Sequence, residues 1–337
     1  MTGVTARVPA KLNLQLAVGP PRADGYHDLV TVFHAVSLFD QVTVEPAGDD
    51  KVTVTGEGAD RVPADQDNLA LRAIVALRAA VRDRDTGAGA VHVTIAKRIP
   101  VAAGLAGGSA DAAAALVACN ELWAAGLTQQ QLRGIGATVG SDVAFALLGG
   151  TAVGRGRGEQ LTPALAPATQ YHWVLAFADG QLSTPAVYAA LDRLRASQGG
   201  SGSQRESQRE SQGGARGRSS GGTRRVASPG QGQPDLDAAL MSALRSGEAA
   251  RVGQRLSNDL QAAAVSLFPA LRKTLTAGLE LGALGALVAG SGPTCVFLAA
   301  NAERALELAV SLSGAGVCRS VARVSGPVPG AAVVSAG

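Results

Sequence analysis

The sequence predicts an α+β protein built in two halves rather than one doubly wound sheet. Three observations carry that prediction. Strand alternation and helical periodicity are mixed in the first half without a regular strand–helix–strand repeat. The stretch 197–234 breaks the chain, with only Ala215, Val226 and Ala227 as apolar residues. The chain has 337 residues, 46% of them hydrophobic, which is enough for two cores.

Taken in order, alternating apolar residues predict strands at 4–8, 41–45, 52–55 and 91–95. Leu69, Ile74, Leu77 and Val81 recur at helical spacing and predict a helix over 68–81. A second helix runs from about Ser109 to 125 with Gly126 as its stop, and a third over 128–136 opens on a capping Thr128. A domain boundary is expected near residue 160, giving domains 1–160 and 161–330. A strand is expected at 172–177. The tandem Ser-Gln-Arg-Glu at 203–210 lies in the polar stretch, which reads as a disordered surface insertion, because it has too little apolar surface to offset ordering. Helices near 235–246, 258–266, 269–281 and 301–313 follow, with strands at 285–289, 294–299 and 319–325.

Composition excludes several classes. Aromatic residues make up 3%, too few for a base-stacking surface. The net charge of +3 is accounted for by six arginines against two glutamates within 197–234, so the rest is near neutral and no nucleic-acid partner is expected. Cys119, Cys295 and Cys318 show no metal-knuckle spacing and read as core residues in a reducing cytoplasm. No metal-ligating cluster is read. Arg7 and Lys11 precede no apolar leader segment, and the uncharged stretch 281–300 is interrupted by Gly290-Ser291-Gly292-Pro293. The expectation is a soluble, cytoplasmic protein without a membrane partner.

Four motifs carry chemistry. Pro100-Val101-Ala102-Ala103-Gly104-Leu105-Ala106-Gly107-Gly108-Ser109-Ala110 follows a strand, precedes an alanine-rich helix and has Lys97 just upstream. Its glycines allow close backbone approach, and the helix start offers unpaired N–H groups to a phosphate. Ser109 can cap the helix, bind a phosphate oxygen or help hold a metal ion, whereas Asp111 would repel phosphate and should point away. In Ala10-Lys11-Leu12-Asn13-Leu14 a cation interrupts an apolar strand, in a chain with only four lysines. It is either a required point charge or a strand-edge residue reaching water. Asp24-Gly25-Tyr26-His27 marks a tight turn presenting an aromatic ring beside an imidazole. Gly140-Ser141-Asp142 sets a carboxylate before an apolar run, where it either caps a helix or does chemistry. Gly290-Ser291-Gly292-Pro293-Thr294 permits close approach to a ligand or a facing loop. His34, His92 and His172 stand singly and receive no function. Gly154 to Glu159 reads as a turn with solvated arginines.

These segments together, with Ser37-Leu38-Phe39-Asp40, Leu182-Ser183-Thr184 and Asn258-Asp259-Leu260, resemble the GHMP kinase superfamily, and within it the branch whose substrate carries cytosine. The resemblance covers nearly the whole chain outside the insertion. It implies an N-terminal domain like ribosomal protein S5 and a C-terminal ferredoxin-like domain, with the site between them. It further implies ATP and Mg²⁺ as cofactors and a small-molecule alcohol as substrate. On this basis the loop 100–110 would hold the ATP phosphates, with Lys97 nearby and Asn68 at the nucleotide. Asp142 would be the general base and Lys11 its partner. Tyr26 and Tyr188 would sandwich the cytosine, His27 would hydrogen-bond its edge, and Asn13 and Thr184 would position the substrate. The chain departs from the family pattern at Ala106 (usually Gly), Ala110 (usually Ser) and Ala144 (usually Pro). The alternatives are a mevalonate-, homoserine- or galactose-type kinase, or a non-catalytic binding protein on the S5-like scaffold.

Overall fold

The computed structural model describes residues 3–84, 86–165, 169–210 and 233–336. Two long strands, β1 (Val4–Pro21) and β2 (His27–Pro46), form an antiparallel hairpin at its centre. β3 (Lys51–Gly56) leads to α1 (Leu69–Val81), and β4 (Val91–Lys97) leads through the glycine loop to α2 (Gly107–Leu122). α3 (Gln129–Val139) opens on the reciprocal Thr128–Gln131 capping box, and α4 (Ser141–Leu148) follows directly. β5 (Thr151–Gly156) pairs with β2, and β6 (Gln160–Pro163) pairs with β5. The run Ala112 to Ala115 in α2 is fully buried. These small side chains let α2 lie close against its neighbours, in one core with Leu12, Val42, Ile74, Leu77 and Ile95.

The second half starts with β7 (Tyr171–Phe177) and α5 (Thr184–Glu210). α6 (Ala238–Ser246), α7 (Ala249–Gly253), β8 (Ser257–Asn258), α8 (Gln261–Leu267) and α9 (Ala270–Glu280) follow. β9 (Gly285–Val288), β10 (Cys295–Ala299), α10 (Ala302–Gly314), β11 (Ser320–Gly326) and β12 (Ala332–Ala336) complete the chain. A four-stranded antiparallel sheet runs in the order β11-β7-β10-β9. α5, α8, α9 and α10 bury Val187, Ala264, Leu271 and Leu308 in one core with its Val174 and Phe297. Two strands return to the first sheet: β8 pairs parallel with β1 at Gln15 and Leu16, and β12 pairs antiparallel with its start.

Several expected elements are longer or differently bounded. β1 and β2 extend far beyond 4–8 and 41–45, and the expected turn at 154–159 begins inside β5. α2 starts at Gly107 and ends at Leu122, so Ser109 does not cap it; Ala106, in a left-handed conformation, occupies the cap position. α5 continues past Ser197 to Glu210. Residues 211–232 of the expected insertion lie outside the described residues. Cys119 and Cys295 are buried, while Cys318 is half-buried.

Candidate active site

A cleft of about 900 Å³ lies between the two halves and is lined from both. Its floor on one side is the glycine loop. Ala102, Gly104 and Ala106 all have positive φ (53°, 78° and 59°), which folds the loop back on itself before α2 begins. The first helical hydrogen bond runs from Ala110 N to Ala106 O, at 2.9 Å. The N–H groups of Gly107, Gly108 and Ser109 therefore have no partner within the helix, and these residues line the cleft. That arrangement, at the positive end of the helix dipole, suits an anion.

The other loop residues divide. Ala102, Ala103, Gly104 and Ala106 also line the cleft, whereas Pro100 and Val101 face a separate hollow of about 250 Å³ beside Arg61 and Thr294. Leu105 and Ala110 are buried, and the Leu105 carbonyl accepts a hydrogen bond from Lys11 N. Lys97 does not line the cleft. Its ammonium is buried beneath the loop, donating to Asp40 and, at 2.7 Å, to Asp111. Burial works against that charge, but Asp111 and Asp40 more than offset it and raise the Lys97 pKa. Burial pushes the Asp111 carboxyl up to about 8. Asp111 thus points away from the glycine loop's open face and toward Lys97. Asn68 also lies off the cleft: it caps α1, accepting from Ala70 N and donating to the Pro63 carbonyl.

At the centre of the cleft Lys11 Nζ donates to Asn13 Oδ1 at 2.8 Å, and Asn13 Nδ2 donates to Thr31 Oγ1, also at 2.8 Å. The Thr31 hydroxyl donates in turn to the Gln15 carbonyl, so the polar row on β1 and β2 is tied to backbone. Asp142 Oδ2 stands 3.9 Å from Lys11 Nζ. Gly140 is the cap residue of α4, and Asp142 lies in its first turn without making a capping hydrogen bond. Its carboxylate is left for the cleft.

The second glycine turn closes this region from the other half. A Cβ on Gly104 would overlap the Ala289 carbonyl oxygen, and one on Gly290 would come within 3.4 Å of Lys11 Nζ. Asn258 holds the turn by donating to the carbonyls of Val288 and Gly290, both at 2.7 Å. The Thr184 and Ser291 hydroxyls are hydrogen-bonded at 2.9 Å.

At the far end, Tyr188 packs against His27 with ring centroids 5.0 Å apart, and His27 Nε2 pairs with Asp192 at 3.0 Å. Tyr26 is 55% exposed, with the Arg157 guanidinium 5.2 Å from its ring centroid. Tyr26 and Tyr188 both line the cleft, but no ring contact joins them among the described residues. Burial, helped by the charge of Asp142, raises the Tyr188 phenol to about 12. Sequence reasoning missed Thr31, Arg157 and Asp192, and singled out Ser291 only as part of the second glycine turn. Asp192 carried a signal, being one helical turn beyond Tyr188; Thr31 lay in a strand whose alternation is interrupted.

The chain matches two family models: GHMP kinases N terminal domain at residues 68–150 and GHMP kinases C terminal at 240–318. A 4-diphosphocytidyl-2-C-methyl-D-erythritol kinase of Thermobifida fusca (strain YX) is 50% identical, covering 99% of each chain. The protein of that name from Nocardia farcinica (strain IFM 10152) is 51% identical over 98% of this chain and 96% of its own. A crystal structure of 4-(cytidine 5'-diphospho)-2C-methyl-D-erythritol kinase superposes with a TM-score of 0.68 at 32% identity, over 95% of this chain and 98% of that one. A homoserine kinase from Cytophaga hutchinsonii ATCC 33406 shares the fold at 18% identity and a TM-score of 0.68.

Proposed function

The chain belongs to the 4-diphosphocytidyl-2-C-methyl-D-erythritol kinase family of GHMP kinases, and from that premise we propose how its cleft works. The protein is an ATP-dependent kinase that phosphorylates the 2-hydroxyl of 4-diphosphocytidyl-2-C-methyl-D-erythritol in the non-mevalonate route to isoprenoid precursors. The observation that carries the mechanism is Asp142 beside Lys11, 3.9 Å apart, in the same cleft as the unpaired N–H groups of α2.

ATP supplies the γ-phosphoryl group. The N–H groups of Gly107, Gly108 and Ser109 hold its phosphates, which fits their lack of helical partners and the exclusion of Asp111 from the cleft. Mg²⁺ would neutralise charge on the phosphates, and an ion of this kind needs few protein ligands. Among the described residues no group of three His, Cys, Asp or Glu side chains could hold a metal. Ser109, a residue that lines the cleft, would supply the protein oxygen that helps hold it. Asp142 accepts the proton of the attacking hydroxyl, and Lys11, fixed by Asn13, offsets charge building on the phosphoryl oxygens. Asn13 and Thr184 position the alcohol, Tyr26 and Tyr188 hold the cytosine ring, and His27 reads its edge.

Lys97 and Asn68 act from beneath, supporting the loop and α1 respectively. A domain boundary near residue 160, a cytoplasmic location and the absence of a nucleic-acid partner belong to the same proposal. Among the described residues no helix is long and apolar enough to cross a membrane.

The test is ADP release with ATP and Mg²⁺ on the cytidine substrate, beside mevalonate, homoserine and galactose. Turnover only with the cytidine substrate is expected. Turnover with another alcohol instead would overturn the assignment of Tyr26, His27 and Tyr188 to a base.

A further inference from the structure

The base end of the cleft holds a carboxylate that phosphoryl transfer leaves unused. Asp192 lies one turn beyond Tyr188 on α5, so the two side chains leave the same face of the helix. Together they grip His27: Tyr188 through its ring at 5.0 Å, Asp192 through Nε2 at 3.0 Å. The His27 side chain is 5% exposed and Asp192 35% exposed, and both line the cleft. The second ring nitrogen, Nδ1, has no hydrogen-bond partner among the described residues.

An ionised carboxylate only accepts hydrogen bonds, so the nitrogen facing it carries the proton. In the neutral imidazole Nδ1 then keeps its lone pair and only accepts. We propose that Asp192 is a positioning residue for substrate choice. It fixes His27 in the Nε2–H tautomer, so that Nδ1 accepts a hydrogen bond from an exocyclic amine of the base and rejects a base with a carbonyl at that position. Cytosine presents an N4 amine there, and uracil presents an O4 acceptor. Uracil would set two acceptors against each other at an imidazole that is itself buried, a mismatch that costs more than a missing contact. The inference rests on the reading of His27 as the residue at the edge of the base.

The experiment compares kcat/KM for the cytidine substrate and its uridine counterpart in wild type, Asp192→Ala, Asp192→Glu and His27→Ala. ¹⁵N NMR of histidine-labelled protein reports which His27 nitrogen carries the proton. In wild type the proton is expected on Nε2. Asp192→Ala is expected to lower the cytidine-to-uridine ratio by about 10-fold, the worth of one hydrogen bond of about 1.4 kcal/mol, through KM for the cytidine substrate and with KM for ATP unchanged. Asp192→Glu, which still accepts, is expected to retain the tautomer and most of the preference. A proton on Nδ1 in wild type, or a ratio lost in His27→Ala and kept in Asp192→Ala, would overturn the inference. A ratio unchanged in both variants would remove His27 from the base edge, and the inference with it.

Discussion

The two ends of the cleft are built differently. At the phosphoryl end Lys11 and Asn13 are 8% and 3% exposed, on strand β1, and are hydrogen-bonded through Thr31 to backbone. The base end is set by a hairpin turn and the first turns of α5, and Tyr26 stands 55% exposed. On the proposed reading the groups that meet the reacting atoms are held before substrate arrives, because small displacements there raise the barrier directly. Groups that only grip a ring can close around it. Substitutions at the two ends should therefore separate into effects on kcat and effects on KM.

The sharpest separation is expected from Asp142→Ala, with kcat lowered by ~10²–10⁴ and KM for the cytidine substrate little changed, read by steady-state kinetics. A large KM effect with normal kcat would merge the two ends. Gly104→Ala attacks the phosphoryl end through its packing, since the added methyl meets the Ala289 carbonyl at a φ of 78°. A loss of about 2–4 kcal/mol of stability is expected, measured by urea unfolding. Tyr188→Ala should raise KM for the cytidine substrate about 10-fold, in line with about 1–3 kcal/mol per stacked base, and leave kcat nearly intact.

The two histidines of β2 extend the comparison into pH. His27 faces the cleft, whereas His34 is wholly buried, and burial lowers its pKa from 6.5 to about 3. Below 6.5 the unfolded chain takes up a proton that folded His34 refuses. Its contribution is thus complete above 6.5 and lost as pH falls toward 3. Urea midpoints should fall between pH 7 and pH 5 in wild type and fall less in His34→Gln; parallel losses would exclude His34 as the cause. The smallest effect is expected at Ala106, whose left-handed φ of 59° favours glycine. Ala106→Gly should raise stability by at most about 1 kcal/mol in thermal unfolding, because relief of strain is partly offset by a freer unfolded chain.

Much of this architecture was legible where burial is one-sided. The helices at 69–81 and 270–280 and the strands at 52–55 and 91–95 follow their periodicity. The strand at 172–177 is buried on both faces and was legible as a continuous apolar run instead. β1 and β2 were legible only at their outer ends. Between Pro9 and Leu16 every residue of β1 is buried, polar and apolar alike, because Lys11, Asn13 and Gln15 turn into the cleft or onto backbone rather than to water. Alternation vanishes once both faces are buried. β5 was hidden by Gly154 and Gly156, which read as a turn. Gly154 instead lies close against Phe33, with a Cβ there 2.8 Å from its ring. The resemblance drew together Lys11, Asp142 and Tyr188 from distant positions. It also set Lys97 and Asn68 beside the nucleotide, because it carries residue types along the chain without their direction. That Asp40 and Asp111 both pair with Lys97 and turn it inward is legible only in three dimensions.

The pairing of β12 with β1 has a consequence for synthesis. Val4 meets Ala336, so β1 acquires that edge partner only after all the chain between the two strands has been made. In the interval β1 presents unpaired N–H and C=O groups along that side, a template for a neighbouring nascent chain. Slow codons between the two strands would lengthen this exposure.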